Sequence, residues 1–130
     1  MRFLTLAETL VIAEAVTGLP AQTLESVARI ELLDSALHAP QAGFESEDFH
    51  PTSAAKAAAL CVRIAGNHPL PDGNKRLAWM ATVTFLAING IELSVAPDEA
   101  VEFMLEVAAG AVCVEHAARW IDERMTPLSE

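Results

Sequence analysis

The chain reads His68-Pro69-Leu70-Pro71-Asp72-Gly73-Asn74-Lys75-Arg76 and runs straight on into Leu77-Ala78-Trp79-Met80-Ala81-Thr82-Val83-Thr84-Phe85-Leu86-Ala87-Ile88. The second stretch contains no Pro or Gly and stops at Asn89-Gly90, a pair suited to the left-handed residue that closes a helix. A helix starting near Gly73 is predicted. Its first turn leaves the backbone N–H groups around Gly73, Asn74 and Lys75 without intrahelical partners, and the helix dipole adds positive potential at the same place. The two effects together favour an anion, above all a phosphate. Lys75 and Arg76 are cations where the dipole disfavours them, so their placement makes better sense with an anion present. Gly73 suits close approach of the backbone to such a group.

Outward from this junction the period is helical nearly everywhere. Thr5-Leu6-Ala7-Glu8 reads as a capping box opening a first helix that ends at Thr17-Gly18-Leu19-Pro20. A second helix is predicted over 24–37, where Leu24, Val27, Ala28, Ile30, Leu33 and Leu37 fall to one side, and Pro40 ends it. Thr52 or Ser53 caps a third helix over 54–65, and Gly66-Asn67 breaks it just before His68. After Gly90 a short extended piece at 91–95 leads to two more helices, near 98–109 and 114–124, with a frayed tail from Thr126. There is no internal repeat or linker. The fold class is all-α: one domain over residues 1–130, a bundle of about six helices around a buried central helix, which is apolar on nearly every side.

Composition sets independent bounds. At 130 residues there is room for one ordinary domain, and 52% hydrophobic residues with a mean hydropathy of +0.32 supply an ample core. The formal charge of −10 and a pI near 4.7 argue against direct nucleic-acid binding, which needs clustered Lys and Arg; the chain has eight basic residues, and Lys75 and Arg76 are two of them. Cys61 and Cys113 lack CxxC spacing and read as two reduced core thiols, suited to a cytoplasmic setting. Met1-Arg2-Phe3-Leu4 hints at a signal peptide, but Glu8 and Glu14 interrupt any apolar segment, and the central run is too short to span a membrane. The one long loop is Ala39-Pro40-Gln41-Ala42-Gly43-Phe44-Glu45-Ser46-Glu47-Asp48-Phe49-His50-Pro51.

The 68–76 stretch resembles the Fic/Doc family, whose signature is His-x-Phe-x-Asp/Glu-x-Asn-x-Arg at a loop-to-helix junction. It matches at every fixed position except Leu70. Lys75, where the adenylyl-transferring Fic branch has Gly, looks like the Doc (death-on-curing) branch. The likeness extends from about Leu32 to Leu93, through Ser35-Ala36-Leu37-His38-Ala39-Pro40-Gln41-Ala42-Gly43-Phe44 and Asn89-Gly90. Trp79 stands where the Fic branch has a second Arg that meets nucleotide phosphates, which also points away from AMP transfer; Trp79 itself reads as core.

What the resemblance implies is a toxin kinase that moves the γ-phosphate of ATP to a Ser or Thr hydroxyl of a translation protein, with elongation factor Tu as the implied target. His68 is then the base that takes the hydroxyl proton, a task suited to imidazole. Asp72 holds Mg²⁺, which takes carboxylate and phosphate oxygens, although Asp72 also suits an N-cap. Gly73, Asn74, Lys75 and Arg76 hold the nucleotide phosphates. The 39–51 loop takes the place of a flap holding the target as an added strand, with Gly43, Phe44 and Phe49 as its candidate residues; the same aromatics also read as anchors of a solvated loop. Control is expected in trans, from a small antitoxin of the Phd type that folds on binding. Two other functions fit the same residues: AMP or other nucleotidyl transfer, and a helical module whose anion pocket binds without catalysis.

Overall fold

The computed structural model describes residues 1–44 and 47–128. Among these residues seven α-helices carry the fold: α1 (Leu6–Thr17), α2 (Ala21–Val27), α3 (Ile30–His38), α4 (Ser53–Asn67), α5 (Asn74–Ile88), α6 (Pro97–Ala108) and α7 (Val114–Asp122). A 3-10 turn, Ala39–Gln41, follows α3. Four short strands form two antiparallel ladders: β1 (Gly43–Phe44) with β2 (Glu47–Asp48), and β3 (Ile91–Leu93) with β4 (Met125–Pro127).

Local chemistry explains most boundaries. Thr5 and Glu8 form the reciprocal capping box at the start of α1, and Gly18 closes that helix at φ 75°. The Thr52 hydroxyl accepts from the Ala55 N–H at the head of α4. The helix predicted over 24–37 is two helices. They part at Ala28, which is extended at φ −77°, ψ 148°, and the Arg29 N–H donates to the Pro69 carbonyl at 2.7 Å instead of continuing the helical ladder. No Pro or Gly marks the break; a bond to a residue far along the chain makes it.

The buried axis is α4 rather than α5. Ala54, Ala57, Ala58, Leu60, Cys61, Ile64 and Ala65 of α4 are all buried, and α4 packs against α3, α5, α6 and α7. Its alanines let neighbours approach toward the short end of the usual interhelical range of about 8–10 Å. The more hydrophobic α5 buries Leu77, Ala78, Ala81, Thr82, Phe85 and Leu86 but leaves Met80 at the surface. Small side chains, rather than hydropathy, select the helix that takes the crowded centre.

Two further expectations are corrected. The tail does not fray at Thr126, because β4 pairs with β3 (Leu93 opposite Met125) and the Leu128 N–H donates to Gly90 O at 2.9 Å. Cys61 is a buried thiol as expected. Cys113 is exposed, and its sulfur accepts from the His116 N–H at the head of α7, serving as a cap rather than core. No helix among the described residues is long and apolar enough to cross a membrane.

Candidate active site

The junction between α4 and α5 is stiff and held from several sides. His68 ends α4 in the left-handed region at φ 48°, ψ 58°, the one non-glycine residue with positive φ among those described. That conformation is uncommon for a residue with a Cβ and is often found at functional sites. Pro69 and Leu70 are buried beneath the loop. Asn67 Nδ2 donates to Leu32 O at 2.9 Å, and Arg29 N–H reaches Pro69 O, so α3 and the α2–α3 break clamp both ends of the turn. Asn74 closes it from inside: Leu70 N–H donates to Asn74 Oδ1, and Asn74 Nδ2 donates to Leu70 O, each at 2.8 Å.

Gly73 is the N-cap of α5 at φ 87°, a conformation that strains any residue with a Cβ, and with no side chain it provides no cap hydrogen bond. The first main-chain helical bond runs from Leu77 N–H to Gly73 O. The N–H groups of Asn74, Lys75 and Arg76 therefore lie ahead of the ladder, uncapped. Asp72 does not cap the helix. Its side chain is exposed, and among the described residues it forms no ion pair; the same holds for Lys75 and Arg76. A carboxylate, two free cations and a bare helix N-terminus share one opening.

Two cavities meet at His68. One, about 210 Å³, is bordered by His68, Asp72, Gly73, Asn74, Lys75 and Arg76, with Ala108 of α6 opposite. The other, about 430 Å³, lies across the loop and is bordered by His68, Leu70, Asn74, Val27 and Arg29. His68 thus borders both compartments, one of which also collects Lys75, Arg76 and the α5 N-terminus. Asp72 could hold Mg²⁺: an exposed carboxylate with no ion pair among the described residues is the usual protein share for this ion, which draws its other ligands from phosphates and water. No cluster of three His, Cys, Asp or Glu residues occurs among the described residues, so a full protein cage is not what the site offers.

Of the residues predicted to form the site, His68, Asp72, Gly73, Asn74, Lys75 and Arg76 converge, with the Asn74 amide spent on bracing the loop. Gly43 and Phe49 do not join them, nor does the β1–β2 hairpin. That hairpin exists where a flap was expected, but Lys56 Nζ ties it to the start of α4 by donating to Pro40 O at 3.2 Å and Asp48 Oδ2 at 3.4 Å. Lys56 and His68 are about 18 Å apart at a rise of about 1.5 Å per helical residue. Phe49 is 62% exposed, neither anchor nor cavity wall. The side chain of Phe44, and all of Glu45 and Ser46, lie outside the described residues. The segment that borders His68 is the α2–α3 break at 27–29, which the sequence hides inside an apparently continuous helical period.

A model of the Fic/DOC family matches residues 4–86. Among curated proteins the chain is similar to a protein called Toxin Doc from Mycolicibacterium smegmatis, 49% identical over 79 residues, or 59% of this chain and 61% of that relative's length.

Proposed function

The chain belongs to the Fic/DOC family, and from that premise we propose that it is a Doc-like toxin kinase, transferring the γ-phosphate of ATP to a Ser or Thr hydroxyl of a translation protein. The observation that carries this reading is the position of His68 between two compartments, one of which collects Gly73, Lys75 and Arg76 at an uncapped helix N-terminus. Phosphoryl transfer asks chiefly for positioning and for stabilisation of charge, and this junction supplies both.

In this mechanism the nucleotide phosphates lie on the α5 N-terminus, where the N–H groups of residues 74–76 donate to phosphate oxygens and the Lys75 and Arg76 side chains neutralise charge. Bound at Asp72, Mg²⁺ would supply further charge neutralisation to the phosphates. The target enters from the side of Val27 and Arg29. His68 takes the proton of its hydroxyl, the freed oxygen bonds to the γ-phosphorus, and the bond from that phosphorus to the β–γ bridging oxygen breaks, releasing ADP. Elongation factor Tu is the target this reading favours. The 49% identity to a relative named as a toxin supports placing the chain in a toxin–antitoxin pair, inhibited in the cytoplasm by a Phd-type antitoxin in trans.

The test is to incubate the purified chain and a bacterial lysate with ATP labelled at the α or the γ phosphate. Protein label from γ alone, abolished by chelating Mg²⁺, is the expected result. Label from α would replace the kinase reading with AMP transfer. Label from neither, with ATP bound, would make the chain a binding module.

A further inference from the structure

The 430 Å³ compartment on the Val27 side of His68 carries one permanent charge, that of Arg29, and none of the residues bordering it is acidic. Arg29 is exposed and has no ion pair among the described residues. The chain holds 18 acidic residues against eight Lys and Arg, so an unpaired cation is placed there against the general excess of carboxylates. The other basic residues fall into two groups. Arg2, Lys56 and Arg124 pair with Glu8, Asp48 and Glu99. Arg29, Arg63, Lys75, Arg76 and Arg119 form no ion pair among the described residues, and of these Arg29, Lys75 and Arg76 border the two compartments at His68.

In the mechanism above Lys75 and Arg76 are taken up by nucleotide phosphates. Arg29 is left facing the compartment from which the target enters. The backbone fixes where this cation starts: the Arg29 N–H donates to Pro69 O at 2.7 Å, which ties it to the residue that follows His68. Arg29 is also the N-cap of α3, at φ −85°, ψ 86°. The bond to Pro69 uses the main chain alone and leaves the guanidinium fork for a ligand. That planar fork matches a carboxylate with two parallel hydrogen bonds. A chain with a formal charge of −10 repels an acidic segment over most of its surface, so a cation beside the reacting position is where such a segment is drawn in.

We propose that Arg29 is a specificity-determining residue of this site: it pairs with the carboxylate of an Asp or Glu close in sequence to the acceptor Ser or Thr, and so selects acidic target segments. This rests on the kinase reading above and deepens it by naming the class of target. An extended segment advances about 3.3 Å per residue, so an acidic residue one or two positions from the acceptor stays within about 7 Å of the hydroxyl that His68 deprotonates. Arg29 itself takes no proton and touches no phosphate; it holds the target in register with the base.

The test compares the full-length wild type with Arg29→Lys and Arg29→Gln. Both variants keep the main-chain bond to Pro69, so their unfolding midpoints should match the wild type. Titration calorimetry with ATP and Mg²⁺ should give unchanged affinity, because Arg29 does not border the anion compartment. Initial rates of protein labelling from γ-labelled ATP in a bacterial lysate should fall about tenfold or more for Arg29→Gln, the scale of a lost hydrogen bond to a charged group. Arg29→Lys should keep most of the rate. With the labelled protein purified as substrate, the loss should lie in KM rather than kcat. Mass spectrometry of that protein should place an Asp or Glu within about two or three residues of the acceptor, and neutralising that residue should make Arg29→Gln harmless. Full-rate labelling by Arg29→Gln, or an acceptor without an acidic neighbour, overturns the proposal and leaves the kinase reading standing. Equal losses in Arg29→Lys and Arg29→Gln assign the side chain a role in shape rather than charge and also overturn it. No γ label from the wild type removes the kinase reading itself, and the target class with it.

Discussion

Replacing Asn74 with Ala separates two roles that the sequence could not tell apart: phosphate ligand and loop brace. In the structure both ends of the amide are engaged by Leu70, whose N–H and C=O sit in a residue 3% exposed. Removing the amide leaves the Leu70 N–H donor and C=O acceptor, both part-buried, without this partner, at about 1–3 kcal/mol each. Partial water access to the loop brings the sum to roughly 2–4 kcal/mol, a large fraction of the roughly 5–15 kcal/mol that holds a domain of this kind but not all of it. Urea denaturation followed by far-ultraviolet circular dichroism should then show the midpoint falling by about 1–2 M, given slopes of about 1–3 kcal/mol per molar. Nucleotide affinity should fall together with stability, because the same loop positions His68 and the α5 N-terminus. An unchanged midpoint accompanied by lost ATP binding would refute the bracing role and make Asn74 a direct ligand.

Other consequences are as direct. His68→Asn, chosen over Ala because Asn tolerates positive φ, should abolish phosphoryl transfer while leaving ATP affinity and the unfolding midpoint nearly unchanged; residual transfer above background in a γ-label assay removes His68 as the base. Asp72→Asn should erase the dependence of ATP affinity on Mg²⁺, whereas a dependence that survives the change locates the metal on other ligands. Leu70→Phe, which restores the family's residue, should destabilise by about 1–3 kcal/mol, the usual result of enlarging a side chain that is 3% exposed, and a more stable variant would show that the ring is taken up by the neighbouring cavity. In native protein at neutral pH a thiol reagent should modify Cys113 alone. Burial pushes the Cys61 thiol up from 9.0 to about 11, with the Thr82 hydrogen bond acting weakly in the other direction. A raised folded value means its stabilising contribution is intact below about pH 9 and is lost as pH rises toward 11, so wild type should lose stability in that window relative to Cys61→Ala. Parallel alkaline curves for the two proteins would contradict the shift.

What could be read from the sequence alone was what nearest neighbours control. The α5 boundaries follow from Gly73 and Asn89-Gly90, the α1 cap from Thr5 and Glu8, the α4 cap from Thr52, because each depends on groups within a few residues of one another. The uncapped helix N-terminus beside two cations at 73–76 was legible for the same reason: both are local facts. The family signature placed His68 and Asp72 beside it. Tertiary structure alone decided the rest. Arg29 meets Pro69, and Asn67 meets Leu32, across long stretches of chain, and those contacts split a helix whose period looked unbroken. Lys56 pins the hairpin at the end of α4 remote from His68, and the cavity beside His68 is bordered instead by Val27 and Arg29. The alanines of α4, and not the greater hydropathy of α5, decided which helix occupies the centre, since close packing depends on the shapes of every neighbour at once and no single segment carries that information.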